Sequence, residues 1–227
     1  MDETPGSTLH WKPARRPARA PLEGALVRLE PVDPARHLAD LYAAAGDPAI
    51  WRYLPTGPYP DEAPFAALLE SHAASEDPLF FTIVDLRDDR PAGIASYLRI
   101  TPEHGVIEIG HIWFGQSLQR TRQATEAIFL LARHVFDDLG YRRLEWKCNA
   151  RNEASRRAAD RFGFTFEGIF RQHMVIKDEN RDTAWYSMLD GEWPGIRGGF
   201  ERWLAPANFD AHGCQRQRLS RLRTEGA

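Results

Sequence analysis

Two arginines, Arg120 and Arg122, stand among Gln119, Thr121, Gln123 and Thr125 in a polar stretch that interrupts two very different patterns. After it, Ala124, Ala127, Ile128, Leu131, Val135, Phe136 and Leu139 recur at helical spacing until Gly140 supplies a stop. A helix start offers backbone N–H groups without internal acceptors and the positive end of a dipole, so it attracts an anion. Guanidinium groups and a first-turn hydroxyl suit that anion to be a phosphate or pyrophosphate. The stretch has neither Gly-x-x-x-x-Gly-Lys nor Gly-x-Gly-x-x-Gly, which excludes a P-loop and a dinucleotide fingerprint. Just upstream, VIEIGHIWFG (Val106 to Gly115) carries Glu108 and His111, a carboxylate and an imidazole able to take a proton. Regular strand alternation puts them on opposite faces unless a bulge intervenes, and Gly110 is where a bulge is tolerated. Cys148 lies in an apolar strand with no adjacent His, so it reads as a packed thiol rather than a nucleophile. No spacing of His, Cys or Asp reads as a metal site.

The hexapeptide Gln119-Arg120-Thr121-Arg122-Gln123-Ala124 resembles the Q/R-x-x-G-x-G/A pyrophosphate loop of the GNAT acyltransferases. Thr125-Glu126-Ala127 is similar to the A-T-E-A helix start of their ribosomal-protein N-acetyltransferase (RimJ/RimL-like) branch. Asn152-Glu153-Ala154-Ser155 and Arg161-Phe162-Gly163-Phe164 resemble that branch's N-x-x-S…K-L-G-F motif, and the likeness runs over residues 25–205. One departure is Arg122, where the motif has its first Gly; Gly lets backbone and phosphate approach closely, while Arg can still grip phosphate through its side chain.

The resemblance implies an α/β GNAT fold: a mixed central sheet of about seven strands, splayed between the fourth and fifth and flanked by helices. It implies acetyl-CoA as cosubstrate, no metal, and direct attack of a primary amine, on a protein N-terminus or a small molecule. The implied cofactor-binding residues are Ile112, Trp113, Phe114, the loop Gln119 to Thr125, Asn152 and Ser155, with Arg156 or Arg157 toward the 3′-phosphate. The backbone N–H of Trp113 becomes the oxyanion donor. Glu108 is the first candidate base, from the matching E-I-G stretch, and His111 the second. Tyr141 and Tyr186 are candidate acids, with bulk water the alternative. A non-catalytic CoA-binding or protein-interaction module of the same fold is the competing reading, and a phosphate-binding hydrolase a third.

Several elements must position these groups. Strand, helix, strand from Val106 to Ala150 with short joints favours a parallel pair with a right-handed crossover. ALVRLEPV (25–32) alternates as a half-buried strand; Asp33-Pro34 opens a helix to about Ala45, and a second helix runs from Asp61 to about Ser75. LFFTIVDL and AGIASYLRI form an antiparallel hairpin. Asn152 caps a helix that Gly163 ends. FTFEGIFRQHMVI, the polar turn KDENRD and TAWYSML form a second hairpin, before a short helix at 192–204. The aromatic loop holding Trp51, Tyr53 and Tyr59 and the hairpin residues His173, Trp185 and Tyr186 should flank the acceptor; the loop aromatics have a competing reading as core cover.

Residues 1–24, with Pro5, Pro13, Pro17 and Pro21, read as an extended arm, 25–205 as one domain and 206–227 as a basic tail, frayed or disordered. With 227 residues, 43% hydrophobic, 27% charged and a net charge of −3, the chain has ordinary globular composition, against bulk nucleic-acid binding. Cys148 and Cys214 make no disulfide framework; no apolar run has transmembrane length and no signal-peptide core appears. A cytoplasmic monomer or homodimer without membrane partners is expected.

Overall fold

The computed structural model describes residues 9–224, so the outermost parts of the expected arm and tail, 1–8 and 225–227, lie outside the described residues. Eight strands among these form one sheet: β1 (Leu22–Glu23), β2 (Val27–Pro31), β3 (Leu79–Asp85), β4 (Arg90–Thr101), β5 (Val106–Phe114), β6 (Arg143–Asn149), β7 (Thr165–Ile176) and β8 (Glu179–Leu189). Their order is β1-β2-β3-β4-β5-β6-β8-β7, and only β5 and β6 run parallel. The added strand is β1, inside the stretch expected to be an arm; it pairs Leu22 with Leu29 and Glu23 with Arg28. Its two residues are too few for any period to show in sequence. Without that short edge, the sheet has the seven strands expected.

Alternation along β3 and β4 sends neighbours to opposite sides, and a separate core forms on each. On one side Phe80, Ile94 and Trp113 pack beneath α1 (Pro34–Ala44), α2 (Glu62–Ala74) and Trp51. On the other, Phe81, Tyr97, Ile107 and Ile109 meet α3 (Arg122–Arg133), α4 (Glu153–Phe162), α5 (Trp193–Leu204) and α6 (Leu219–Thr224). The helix ends follow the caps. Asp33 Oδ1 accepts from the N–H of Ala35 at 3.1 Å, and Asn152 Oδ1 from that of Ser155 at 3.1 Å. Gly163, at φ 103°, closes α4 in the left-handed conformation that a side chain would strain. Past Arg133 the backbone of α3 continues through Asp138 in a wider turn, Leu139 N–H bonding His134 O at 3.0 Å.

Glu126, from the helix-start motif, has a structural task. Its buried carboxylate accepts from the backbone N–H groups of Ala25, Leu26 and Val27 at 3.1, 2.6 and 2.8 Å, clasping the β1–β2 turn to α3. A Cβ on Gly24 would lie 2.5 Å from Glu126 Oε2, so the turn needs glycine there.

Two expectations change. The turn between β7 and β8 is Lys177–Asp178 alone, at φ 51° and 60°, not all of KDENRD. A mirror-image turn reverses the chain in two residues and lets polar residues continue the strand. The segment after Leu204 is folded up to Thr224, with Leu219 and Leu222 buried and Arg223 donating to Asp160 O at 2.9 Å. Its two anchors are spaced by a single helical turn, too little to register against an Arg- and Gln-rich background.

Candidate active site

β5 and β6 stay together only from Val106 opposite Arg143 to Ile109 opposite Trp146, yet β5 continues to Phe114 and β6 to Asn149. The divergence coincides with a bulge. On β4, Ser96 faces Gly110 and Ile94 faces Trp113, so β5 carries one extra residue there. Gly110 precedes the kink, but His111 itself takes the positive φ, 47°. A non-glycine residue held there is strained, and such strain concentrates at functional sites. Past Ile109 the facing strand edges present backbone groups to a slot that an extended ligand can enter like another strand.

The extra residue also brings His111 to the face of Glu108, which regular alternation would forbid. Its ring lies 5.4 Å from that of Phe80, and its Nδ1 is 3.4 Å from Ser96 Oγ. Glu108 is 5% exposed. Lys147 Nζ stands 2.9 Å from Glu108 and 2.6 Å from Glu145, and Arg99 Nε is 3.6 Å from Glu108. Burial dominates and raises the Glu108 pKa above the usual carboxylate value, while Lys147 and then Arg99 oppose it. Burial, with Arg181 adding to it, pushes His111 down, so its imidazole is neutral at pH 7.

Beyond β5 the loop turns sharply at Arg120, φ 61°. Gln119 Nε2 donates to Phe114 O at 3.0 Å, tying the loop to the strand end. Thr121 caps α3: its hydroxyl donates to Leu118 O at 2.6 Å and accepts from Ala124 N–H at 3.2 Å. Gln123 hydrogen-bonds Asp85, and Thr125 Oγ accepts from Arg161 Nη1 at 3.1 Å. Arg122 turns elsewhere. Its Nη2 donates to Leu204 O at 2.9 Å and its guanidinium lies 4.1 Å over the Phe209 ring, so the side chain secures the C-terminal segment. Across the slot, Asn152 caps α4 and Ser155 Oγ accepts from Trp146 Nε1 at 3.0 Å. Arg156 Nε donates to Tyr186 Oη at 3.1 Å, and exposed Arg157 pairs with Glu153 at 3.0 Å.

Comparison with known proteins identifies the family. Residues 27–165 match the family described as "Acetyltransferase (GNAT) domain". The chain belongs to the GNAT acetyltransferase family. A GCN5-related N-acetyltransferase of Brucella melitensis is 47% identical, with TM-score 0.93 over 94% of this chain and 98% of its own. A GNAT-family structure from Chromobacterium violaceum is 45% identical, with TM-score 0.79 over 86% and 99%. YdaF of Bacillus subtilis, which carries the name of a ribosomal N-acetyltransferase, is 28% identical over 110 residues, 48% of this chain and 60% of that relative's length. The ribosomal L7/L12 acetyltransferase RimL, 20% identical with TM-score 0.65 over 74% of this chain and 93% of its own, shares the fold. Proteins of the GNAT family take acetyl-CoA as cosubstrate. Among the described residues no cluster of His, Cys, Asp or Glu could hold a metal ion, and no helix is long and apolar enough to cross a membrane.

In this GNAT chain the residues expected around the acceptor separate. Trp51 is 2% exposed, donates to Ala45 O at 2.9 Å and packs 5.8 Å from Trp113, which is the core-cover reading. Tyr53 Oη donates to Arg151 O at 3.2 Å, spanning from the aromatic loop to the start of α4. His173 joins Thr183 at 2.9 Å, and Trp185 lies under Lys147, 3.8 Å from Nζ to ring. Tyr186, next in sequence to Trp185, faces the opposite core by strand alternation. Tyr141 precedes the paired end of β6, away from the divergence; burial pushes its pKa up to about 12. Lys147, Glu145, Arg99 and Arg181 were absent from the sequence expectations. Glu145 and Lys147 alternating with Leu144, Trp146 and Cys148 are the signal that could have found two of them.

Proposed function

We propose that the protein transfers the acetyl group of acetyl-CoA to a primary amine by direct attack. The observation that carries this reading is the divergence of β5 from β6 beside buried Glu108, with the capped start of α3 at its outer end. Acetyl-CoA supplies the acyl group as an activated thioester. Backbone groups of Ile112, Trp113 and Phe114 hold the pantetheine arm as a strand would. The loop from Gln119 to Thr125 holds the pyrophosphate, through its backbone and Arg120; Arg122 takes part through its main chain. Asn152 and Ser155 border the same slot from β6 and α4. The amide N–H of Trp113 is aimed at the thioester oxygen; such a preorganised donor is worth about 3–4 kcal/mol in other enzymes.

Glu108 draws the amine's proton, directly or through a water, and neutral His111 is the alternative acceptor of it. The amine nitrogen forms the C–N bond as the C–S bond breaks; the thiolate leaves and takes a proton from solvent. Mass spectrometry of acceptor mixtures after incubation with acetyl-CoA, run with a thiol-release assay, tests the reading. An acceptor gaining one acetyl group with stoichiometric thiol is the expected result. Tight acetyl-CoA binding without acceptor-dependent thiol release across a broad amine panel would leave a binding module instead.

A further inference from the structure

The face of the sheet that carries Glu108 also carries positive charge and N–H donors that the acetyl transfer does not use. Glu108 lies opposite Glu145 on β6, and two residues along, Lys147 lies opposite Trp185 on β8. Alternation puts Thr183 and Arg181 on that same side of β8. Lys147 is compensated by its two carboxylates. Arg181 is not: among the described residues no carboxylate lies within ion-pair distance of it, and its Nε is buried without a hydrogen-bond partner. The indole N–H of Trp185 is buried and unpartnered too. Buried donors of this kind are uncommon in folded proteins, and here they lie on the face where the amine must arrive. Arg99, 5.8 Å from the Trp185 ring, adds another cation. Burial first and then the charge of Arg181 lower the His111 pKa, and Arg181 is among the cations that, after burial, lower that of His173.

Building on the transfer reading, we infer that the acceptor is a small amine bearing an anionic group, carboxylate or phosphate, which Arg181 and the Trp185 indole bind while the amine faces Glu108 and His111. A planar guanidinium with free donors matches a carboxylate or phosphate in shape as well as charge. Polyamines and aminoglycosides meet the opposite situation, since the unpaired guanidinium of Arg181 would repel them.

The test compares a series of ω-amino carboxylates with their amides, aminoalkyl phosphonates, spermidine and a short peptide with a free N-terminus, at saturating acetyl-CoA and equal free-base amine. The expected kcat/KM for the best anionic amine exceeds that of its amide by roughly 10- to 100-fold, as for loss of a charge-assisted hydrogen-bonded pair. Arg181→Gln should bring that ratio near one, mainly through KM, and Arg181→Lys should restore part of it. Both variants should keep the wild-type Kd for acetyl-CoA, which shows them folded. The carboxylate and phosphonate arms identify the anion. Amides, spermidine or the peptide turning over as fast as every anionic amine, or a ratio indifferent to Arg181→Gln, would overturn this inference and leave the transferase standing. Acetylation of no amine at all would bring down the transferase reading and this inference with it.

Discussion

Glu108 and His111 share a face of the sheet only because one extra residue sits in β5. Burial raises the Glu108 pKa, which brings a carboxylate closer to the strength a general base needs near neutrality. A base works deprotonated, so the acidic limb of kcat/KM should rise with pH through a value above that of an ordinary carboxylate. Glu108→Gln should remove that limb and lower kcat by about 10²- to 10⁴-fold with little change in acetyl-CoA affinity; a variant retaining its rate within threefold would move the role to His111 or water. The two loop arginines should also part company. Arg120→Ala should weaken acetyl-CoA binding more at low salt than at high, in calorimetry at two ionic strengths. Arg122→Ala should leave that salt dependence intact and cost stability instead, about 1–2 kcal/mol by urea titration, because its guanidinium holds Leu204 and Phe209.

Among the elements, the outer strands are bound by more than their ladder. Arg143 on β6 reaches across β8 to Glu167 on β7, at 2.7 and 2.6 Å, and Ser187 on β8 donates to the same carboxylate at 2.6 Å. Arg143 first, and then Ser187, hold the Glu167 pKa down to about 2 from 4.5. A depressed carboxylate contributes stability that is present above its unfolded pKa and lost as pH falls through the folded one. The melting temperature should therefore fall between about pH 4.5 and 2 more steeply in the wild type than in Glu167→Gln. Identical slopes would show that solvent screens this partly exposed contact to nothing. The helices opened by Asp33 and Asn152 were legible from their caps, because a cap is a local hydrogen bond between residues two or three apart. The β7–β8 turn was misjudged in width because two left-handed residues, Lys177 and Asp178, do what six polar residues suggested.

For the whole molecule, the C-terminal segment packs on the side of the fold where α3 begins. Residues 206–224 pack on α4 and α5, while Phe209 sits under Arg122 of the loop expected to hold pyrophosphate. A chain ending at Ala205 should lose at least about 5 °C of melting temperature in calorimetric scans and bind acetyl-CoA more weakly. Unchanged values for both would make the segment an independent addition.

Sequence by itself determined the α/β class, the order of the principal elements, the polar start of the central helix and the carboxylate on the central strand. Each of these rests on local spacing, on caps, or on a motif confined to a few consecutive residues. Tertiary structure decided where Arg122 points, that Trp51 belongs to the core, that Trp185 and Tyr186 part to opposite faces of the sheet, and that Lys147 stands beside Glu108. Those facts depend on which strands become neighbours and where a bulge shifts the register, and residues brought together from Arg99 to Trp185 leave no mark in any short window of the chain.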